Sequence, residues 1–357
     1  MTSFFGSPSW SPGKLQDLVL LQRGFDITKA EQKDGEIPVI SSSGPGSRHN
    51  IPKVQGPGVI IGRKGTLGSV FYSEGDYWPH DTTLWSKELK GNNPRFVYYA
   101  LQCIEMSLFD TGAANPTLNR NHIHGLPIFI PERRIQDRIA DILTAYDDLI
   151  ENNRRRIALL EDAARQLYKE WFVRLRFPGH EHTKIIDGVP EGWERVTLRD
   201  VATLNYGKAL KDENRIPGDV PVYGSSGIVG THNLALLSGP GIILGRKGNV
   251  GSVRWSPSDF FPIDTVYFIA AEQSNFHLYM TLLHMQFMST DVAVPGLNRD
   301  FAYSRMLVRP SFAVAGRFEE EVAPIFFQVQ KLTELNIGLA KARDLLLPRL
   351  MSGSLAV

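Results

Sequence analysis

Cysteine is nearly absent. Cys103 is the single one among 357 residues, which excludes an intramolecular disulfide framework and fits a reducing compartment. No His/Cys cluster surrounds it, so it reads as a small buried residue on an apolar segment rather than a reactive thiol. Long hydrophobic runs are missing too: nothing approaches the roughly 18 apolar residues of a membrane span. The first twelve residues lack the basic start and apolar core of a signal peptide. The expected location is the cytoplasm, with no membrane contact. Net charge is also scarce, +1 from 39 basic and 38 acidic residues, so no global field marks or excludes a nucleic-acid partner.

What is present is repetition. Gly56 to Trp85 (GPGVIIGRKGTLGSVFYSEGDYWPHDTTLW) recurs as Gly239 to Phe268 (GPGIILGRKGNVGSVRWSPSDFFPIDTVYF), displaced by 183 positions without a gap and identical at 16 of 30. The offset reaches back to Trp10, which aligns with Trp193. Leu15, Asp17, Gly24, Pro38, Ser42, Ser43, Gly44, His49 and Asn50 fall on Leu198, Asp200, Gly207, Pro221, Ser225, Ser226, Gly227, His232 and Asn233. Further on, Pro116-Thr117-Leu118-Asn119-Arg120 answers Pro295-Gly296-Leu297-Asn298-Arg299 at an offset of 179. A repeat this strong makes the architecture one domain used twice, and the chain is long enough for two cores.

Within each copy, short apolar runs such as Val59-Ile60-Ile61 are bounded by Gly, Pro and Ser, the punctuation of strands and turns. Pro94 to Phe109, answered by Asn275 to Met288, has helical spacing instead. Each copy closes on a short strand, Leu126 to Ile130 and Met306 to Val308. Beyond each of these strands the chain changes in kind. Ile135, Ile139, Ile142, Tyr146, Leu149, Asn153, Ile157, Leu160, Ala164, Leu167 and Trp171 step by threes and fours between charges, an apolar seam on one helix of about 37 residues and roughly 55 Å. Phe318, Val322, Ile325, Val329, Leu332, Asn336, Leu339 and Leu346 form a second seam, expected to kink or begin at Pro324 and to stop at Pro348 and Gly353. Asn153 and Asn336 sit on these seams. Buried, such a residue sets register; turned to solvent, it would do nothing.

The fold class expected is therefore α/β (mixed α+β). Two similar globular domains, 1–131 and 177–311, are joined by spacer helices in 132–176 and 312–357. If the helices pair with each other, the pairing is antiparallel and the copies are related by a pseudo-twofold axis. Two like heads at a set separation suit a ligand with dyad character, and duplex DNA is the main candidate.

Arg63, Lys64, Arg246 and Lys247 lie in turns where small neighbours permit close approach and cations can neutralise phosphate. The same turns could simply face water. Asn119, Arg120, Asn298 and Arg299 carry the same pair of readings, phosphate contact or framework. Residues that read bases should differ where the copies otherwise match. This singles out Arg48 against Thr231, Thr66 against Asn249, and Arg254 against Phe71, and more weakly His80 against Ile263, Thr117 against Gly296 and His122 against Phe301. No chemistry accompanies them. There is no GxxxxGK[ST], HExxH or paired-cysteine motif. Asn115-Pro116-Thr117-Leu118 matches an adenine methyltransferase motif only faintly, and its counterpart is Val294-Pro295-Gly296-Leu297. Asp81-Thr82 and Asp264-Thr265 read as turn or strand-end residues. No metal or cofactor site is expected.

Taken together, several features resemble the specificity subunit of type I restriction-modification systems. They are the opening Gly188-Val189-Pro190-Glu191-Gly192-Trp193 with its weaker form at Trp10, and the Gly-Arg-Lys-Gly turns. To these add the helix ending Leu167-Tyr168-Lys169-Glu170-Trp171-Phe172 and the terminal Leu345-Leu346-Leu347-Pro348-Arg349-Leu350-Met351-Ser352-Gly353. The resemblance implies two target-recognition domains, each reading half of a split double-stranded DNA site, and an antiparallel coiled coil that sets the spacer. It also implies docking of two methyltransferase subunits and, through them, endonuclease/translocase subunits. S-adenosylmethionine, ATP and magnesium would be held by those partners, with no catalysis in this chain. Two alternatives are a recognition subunit for a combined methyltransferase-nuclease partner and a tandem-domain scaffold.

Overall fold

The structure, a computed structural model, describes residues 7, 10–110, 116–285, 287 and 296–357. Asn115, Val294 and Pro295 of the faint methyltransferase-like motif lie outside the described residues. The chain divides into two compact units, residues 1–153 with 335–357, and residues 154–334. Each takes one copy of the repeat and part of both long helices.

In the first unit Gly58–Gly62 is buried at all five positions, as expected of a continuous apolar run with two strand neighbours. It lies between Thr83–Glu88 and Val70–Ser73, and Leu20–Arg23 completes the four-stranded sheet on the far side of Thr83–Glu88. A three-stranded sheet holds Gly44–His49, Ile37–Ser41 and Trp78–Pro79, the last pairing in parallel. Ser11–Lys14 pairs antiparallel with Pro127–Ile130. The second unit reproduces this arrangement in register. Ile61 faces Val70 and Leu84, while Leu244 faces Val253 and Tyr267. Even the bulges between Val39 and Ile40 and between Val222 and Tyr223 coincide.

Helix Pro94–Gln102 starts where Asn93 accepts the Phe96 N–H with proline at its first turn, and Phe276–His284 starts at Asn275, which accepts the Leu278 N–H. Such caps satisfy an N–H that the helix itself leaves unpaired. Both helices bury apolar residues, Phe96, Val97 and Leu101 in one unit and Leu278 and Leu282 in the other. The stretch from Pro94 to Phe109 is thus helical in two pieces, the second a short 3-10 turn at Met106–Phe109.

The first long helix is Arg133–Tyr168, continued by a π-helical turn at Lys169–Val173. The second is Phe312–Met351. The helix neither begins nor breaks at Pro324, and it runs three residues past Pro348, to Met351, just before Gly353. The carbonyls that these prolines leave without an N–H belong to Glu320 and Asp344, both exposed, as are the prolines. Water can take those carbonyls, so neither position ends the helix.

Within the first unit the two helices run antiparallel. Asn153 donates to Asn336 at 2.9 Å, Asn336 donates to the Ile150 carbonyl at 3.3 Å, and Asp147 pairs with Arg343. Asn153 is 1% exposed, so the seam reading of the two asparagines holds and the solvent reading does not. In the second unit Ala164, Tyr168 and Trp171 share a core with Phe318 and Val322.

Candidate nucleic-acid interface

One corner of each unit gathers most of the singled-out residues, and backbone hydrogen bonds explain how. Leaving the central strand, Arg63 and Lys64 both donate their N–H to the Thr82 carbonyl at 2.8 and 3.1 Å; Arg246 and Lys247 do so to Thr265 at 2.9 and 3.0 Å. The reversal itself comes next, at Gly65 and Gly68 and at Gly248 and Gly251. All four have φ between +75° and +77°, the left-handed region that suits glycine. Gly62 is needed for a different reason. A Cβ there would lie 2.1 Å from the Thr66 carbonyl oxygen, and one on Gly245 would lie 2.2 Å from that of Asn249. The shared glycines are therefore demanded by the backbone.

Leu118 N–H donates to Arg63 O, and Leu297 N–H to Arg246 O, each at 2.8 Å. This brings Pro116–Arg120 and Gly296–Arg299 against the turns. The serine hairpin tips arrive by Ser42 N–H and Ser225 N–H donating to the hydroxyls of Thr82 and Thr265 at 3.2 and 3.4 Å. Thr82 and Thr265 are thus the knots that tie hairpin tip to turn. Asp81-Thr82 and Asp264-Thr265 sit just before a strand, as expected.

The side chains at the corner fall into two groups. Some serve the framework. Asn119 caps helix Arg120–His124 by accepting from Asn121 N–H, and Asn298 caps Arg299–Tyr303 by accepting from Asp300 and Phe301 N–H. Arg246 donates twice to the Asp264 carbonyl, at 2.6 and 3.2 Å, and lies over the rings of Tyr206 and Tyr267. Arg63 is half-buried, and its Nη1 has no hydrogen-bond partner among the described residues. Burial, and then the neighbouring Arg23, lower its pKa below the ordinary guanidinium value. The other group is exposed: Lys64, Thr66, Arg120, Lys247, Asn249 and Arg299.

Of the residues ranked by disagreement between copies, Thr66 and Asn249 lie in the turns. Arg254 is exposed on strand Val253–Ser256, its Nε 3.9 Å from where a Gly227 Cβ would stand, and so reaches the hairpin tip. Phe71 packs on Gly44 in the same place, but it joins the core beside Ile40, Ile60 and Tyr77. Arg48 and Thr231 are not brought to this corner. They face Pro38 and Pro221 at the opposite end of the hairpin, and Arg48 is ion-paired with Glu36.

The second copy carries a residue at this corner that the sequence reasoning missed. Tyr206 is 51% exposed, with Arg299 4.9 Å and Arg246 5.3 Å from its ring centroid. Its counterpart is Arg23, which pairs with Asp81 at 2.8 Å. The signal was available, since the pair differs beside the identical Gly24 and Gly207. Asp26, His80 and Asp81 place ligand atoms within 4.8 Å of one another, the one such trio among the described residues. Arg23 already takes one oxygen of Asp81, and the second copy has Ala209 and Ile263 in place of the other two. The donor set therefore suits an ion-pair cluster rather than a cation site.

No helix among the described residues is long and apolar enough to cross a membrane. Residues 8–162 and 190–298 match the family model of the type I restriction modification DNA specificity domain. Similar proteins include the MjaIX type I restriction enzyme specificity subunit of Methanocaldococcus jannaschii, 24% identical over 73% of this chain and 69% of that one. Another is the HindI specificity subunit of Haemophilus influenzae, 22% identical over 67% of this chain and 71% of that one. Among solved structures, the type I restriction-modification S subunit from M. genitalium superposes with a TM-score of 0.63 over 98% of this chain and 99% of its own, at 18% identity.

Proposed function

We propose a division of labour at the two corners from the premise that this chain belongs to the type I restriction modification DNA specificity domain family. It is the DNA-recognition chain of a type I restriction-modification complex and is not itself the catalyst. We place the two reading heads in residues 1–131 and 177–311 and assign 132–176 and 312–357 to the helices that set the spacer between half-sites.

The observation that carries the assignment is a corner built twice from the same backbone knot but presenting different exposed side chains. Phosphate is the same at every site, so the shared, exposed cations Lys64, Lys247, Arg120 and Arg299 grip it. Asn119 and Asn298 hold the short helices that present Arg120 and Arg299. Arg246 braces its turn from within, while Arg63 is half-buried at the matching place. Thr66 in one head, and Asn249 and Arg254 in the other, face base edges, with donors suited to the major groove. Arg48 and Thr231 stand outside this contact.

Apolar side chains left exposed on the long helices suit docking of two methyltransferase subunits: Leu345 and Leu149 in one unit, the latter turned off the expected seam where Ile150 is buried instead, and Leu159 and Phe327 in the other. Endonuclease/translocase subunits join through these. The complex works in the cytoplasm on double-stranded DNA. The partners bring S-adenosylmethionine, ATP and magnesium.

The assignment is tested in the assembled methyltransferase complex with Lys64→Ala plus Lys247→Ala. Binding should weaken alike for cognate and unrelated duplexes, and the salt slope should fall by about 2, one unit per cation. A changed sequence preference with an unchanged slope would show instead that these lysines read bases.

A further inference from the structure

One side-chain contact ties each reading head to its long helix, and the two copies build it from different chemistry at matched positions. Gln136 and Glu319 are 183 residues apart, the offset of the repeat itself. Gln136 is 2% exposed. Its Oε1 accepts the Asn93 N–H at 2.9 Å, and its Nε2 donates to Asn92 Oδ1 at 2.7 Å and to the Pro131 carbonyl at 2.9 Å. Asn92 in turn donates to the carbonyls of Leu18 and Leu89. Gln136 thereby reaches from the long helix to the start of helix Pro94–Gln102. Glu319 uses both carboxylate oxygens instead, accepting the Phe276 N–H at 3.0 Å and the His277 N–H at 2.7 Å, at the start of helix Phe276–His284.

The two are not interchangeable. A glutamine at 319 would set an NH2 against a helix N–H. A glutamate at 136 would bury an acceptor against the Pro131 carbonyl and the Asn92 oxygen. Each defect leaves a polar group unsatisfied, fully buried at Gln136 and half-buried at Glu319. Burial pushes the Glu319 carboxyl above the usual carboxylate range, while the two N–H groups pull it back. Its contact thus depends on the helix keeping its place.

The helices that receive these contacts pack on their heads' sheets, through Phe96 and Leu101 in one unit and Leu278 and Leu282 in the other. A contact to the helix start therefore sets the pose of the whole head on its long helix. We infer that Gln136 and Glu319 are positioning residues that hold each reading head at one angle to its spacer helix, and so restrict the complex to a single spacer length. The inference rests on the proposed reading of split DNA sites.

The test measures methylation by the assembled complex on duplexes carrying the cognate half-sites at the native spacing and at one base pair more or less. For Gln136→Ala, which loses three hydrogen bonds, and for Glu319→Ala, which loses two, the preference for native spacing should fall by about tenfold or more. The half-site sequences should stay unchanged. Glu319→Gln keeps the side chain's size and reports the same effect should the alanine variant fail to fold. A lowered melting temperature with an intact spacing preference would overturn the inference, because the contact would then hold the fold without setting the pose. A wild-type complex that methylates no split site would overturn the underlying reading of DNA recognition, and this inference with it.

Discussion

Gly62 and Gly245 separate what a shared residue does for the backbone from what it does for a ligand. Their missing Cβ atoms leave room for the carbonyls of Thr66 and Asn249, so Gly245→Ala should lower unfolding free energy by about 2–4 kcal/mol. Denaturant titration checks this, and a loss under about 0.5 kcal/mol, the range of an ordinary surface change, would contradict it. At this scale the sequence was half legible. Identity across the repeat pointed to the Gly-Arg-Lys-Gly turn but could not say that its glycines answer to sterics and Arg246 to a carbonyl and two rings. Asn119 and Asn298 stood out as either phosphate contacts or framework, and their geometry, that of helix caps, is the framework one. Arg48 and Thr231 differ between the copies but lie at the far end of their hairpin. Strand register alone decides that, and no pairwise comparison of the copies contains it.

Helices were the most legible elements, because a 3.6-residue period sustained over many turns leaves little ambiguity. Pro324 does not start the helix and Pro348 does not stop it, since sequence shows a lost N–H but not whether the orphaned carbonyl faces water. The short helices at Leu15–Leu18 and Arg120–His124 escaped because a single turn has no period to detect. His277, on helix Phe276–His284, makes a prediction that belongs to this scale. Burial among Tyr168, Phe172 and Phe318 pushes its pKa down to about 4. The folded second unit therefore binds a proton more weakly than the unfolded chain. The stability this contributes is complete above the unfolded value of 6.5 and is lost as pH falls from there toward 4. Between pH 7 and pH 5 the loss from this group should be about 2 kcal/mol. Glu319, shifted upward, opposes it at the acid end of that window. His277→Phe should flatten the pH dependence of thermal unfolding between pH 5 and 7. An unchanged profile would show that the imidazole is not held neutral.

For the molecule as a whole, the doubled design was visible in the sequence because one displacement of 183 residues holds across some 76 positions. Folding extends the correspondence to strand register, bulges, helix caps and the knots at Thr82 and Thr265. It also carries the meaning of the differences: Arg254 against Phe71 and Tyr206 against Arg23 lie at the same corner in both units. The central claim is that each corner reads its own half of a split site. Single-molecule methylation sequencing of cells carrying the assembled complex tests it most directly, with the wild-type chain compared against Asn249→Ala plus Arg254→Ala. The wild type should yield a bipartite motif with one spacer length, and the variant should relax one half-site while leaving the other half and the spacer intact. A continuous motif, or a variant that alters both halves together, would contradict the account.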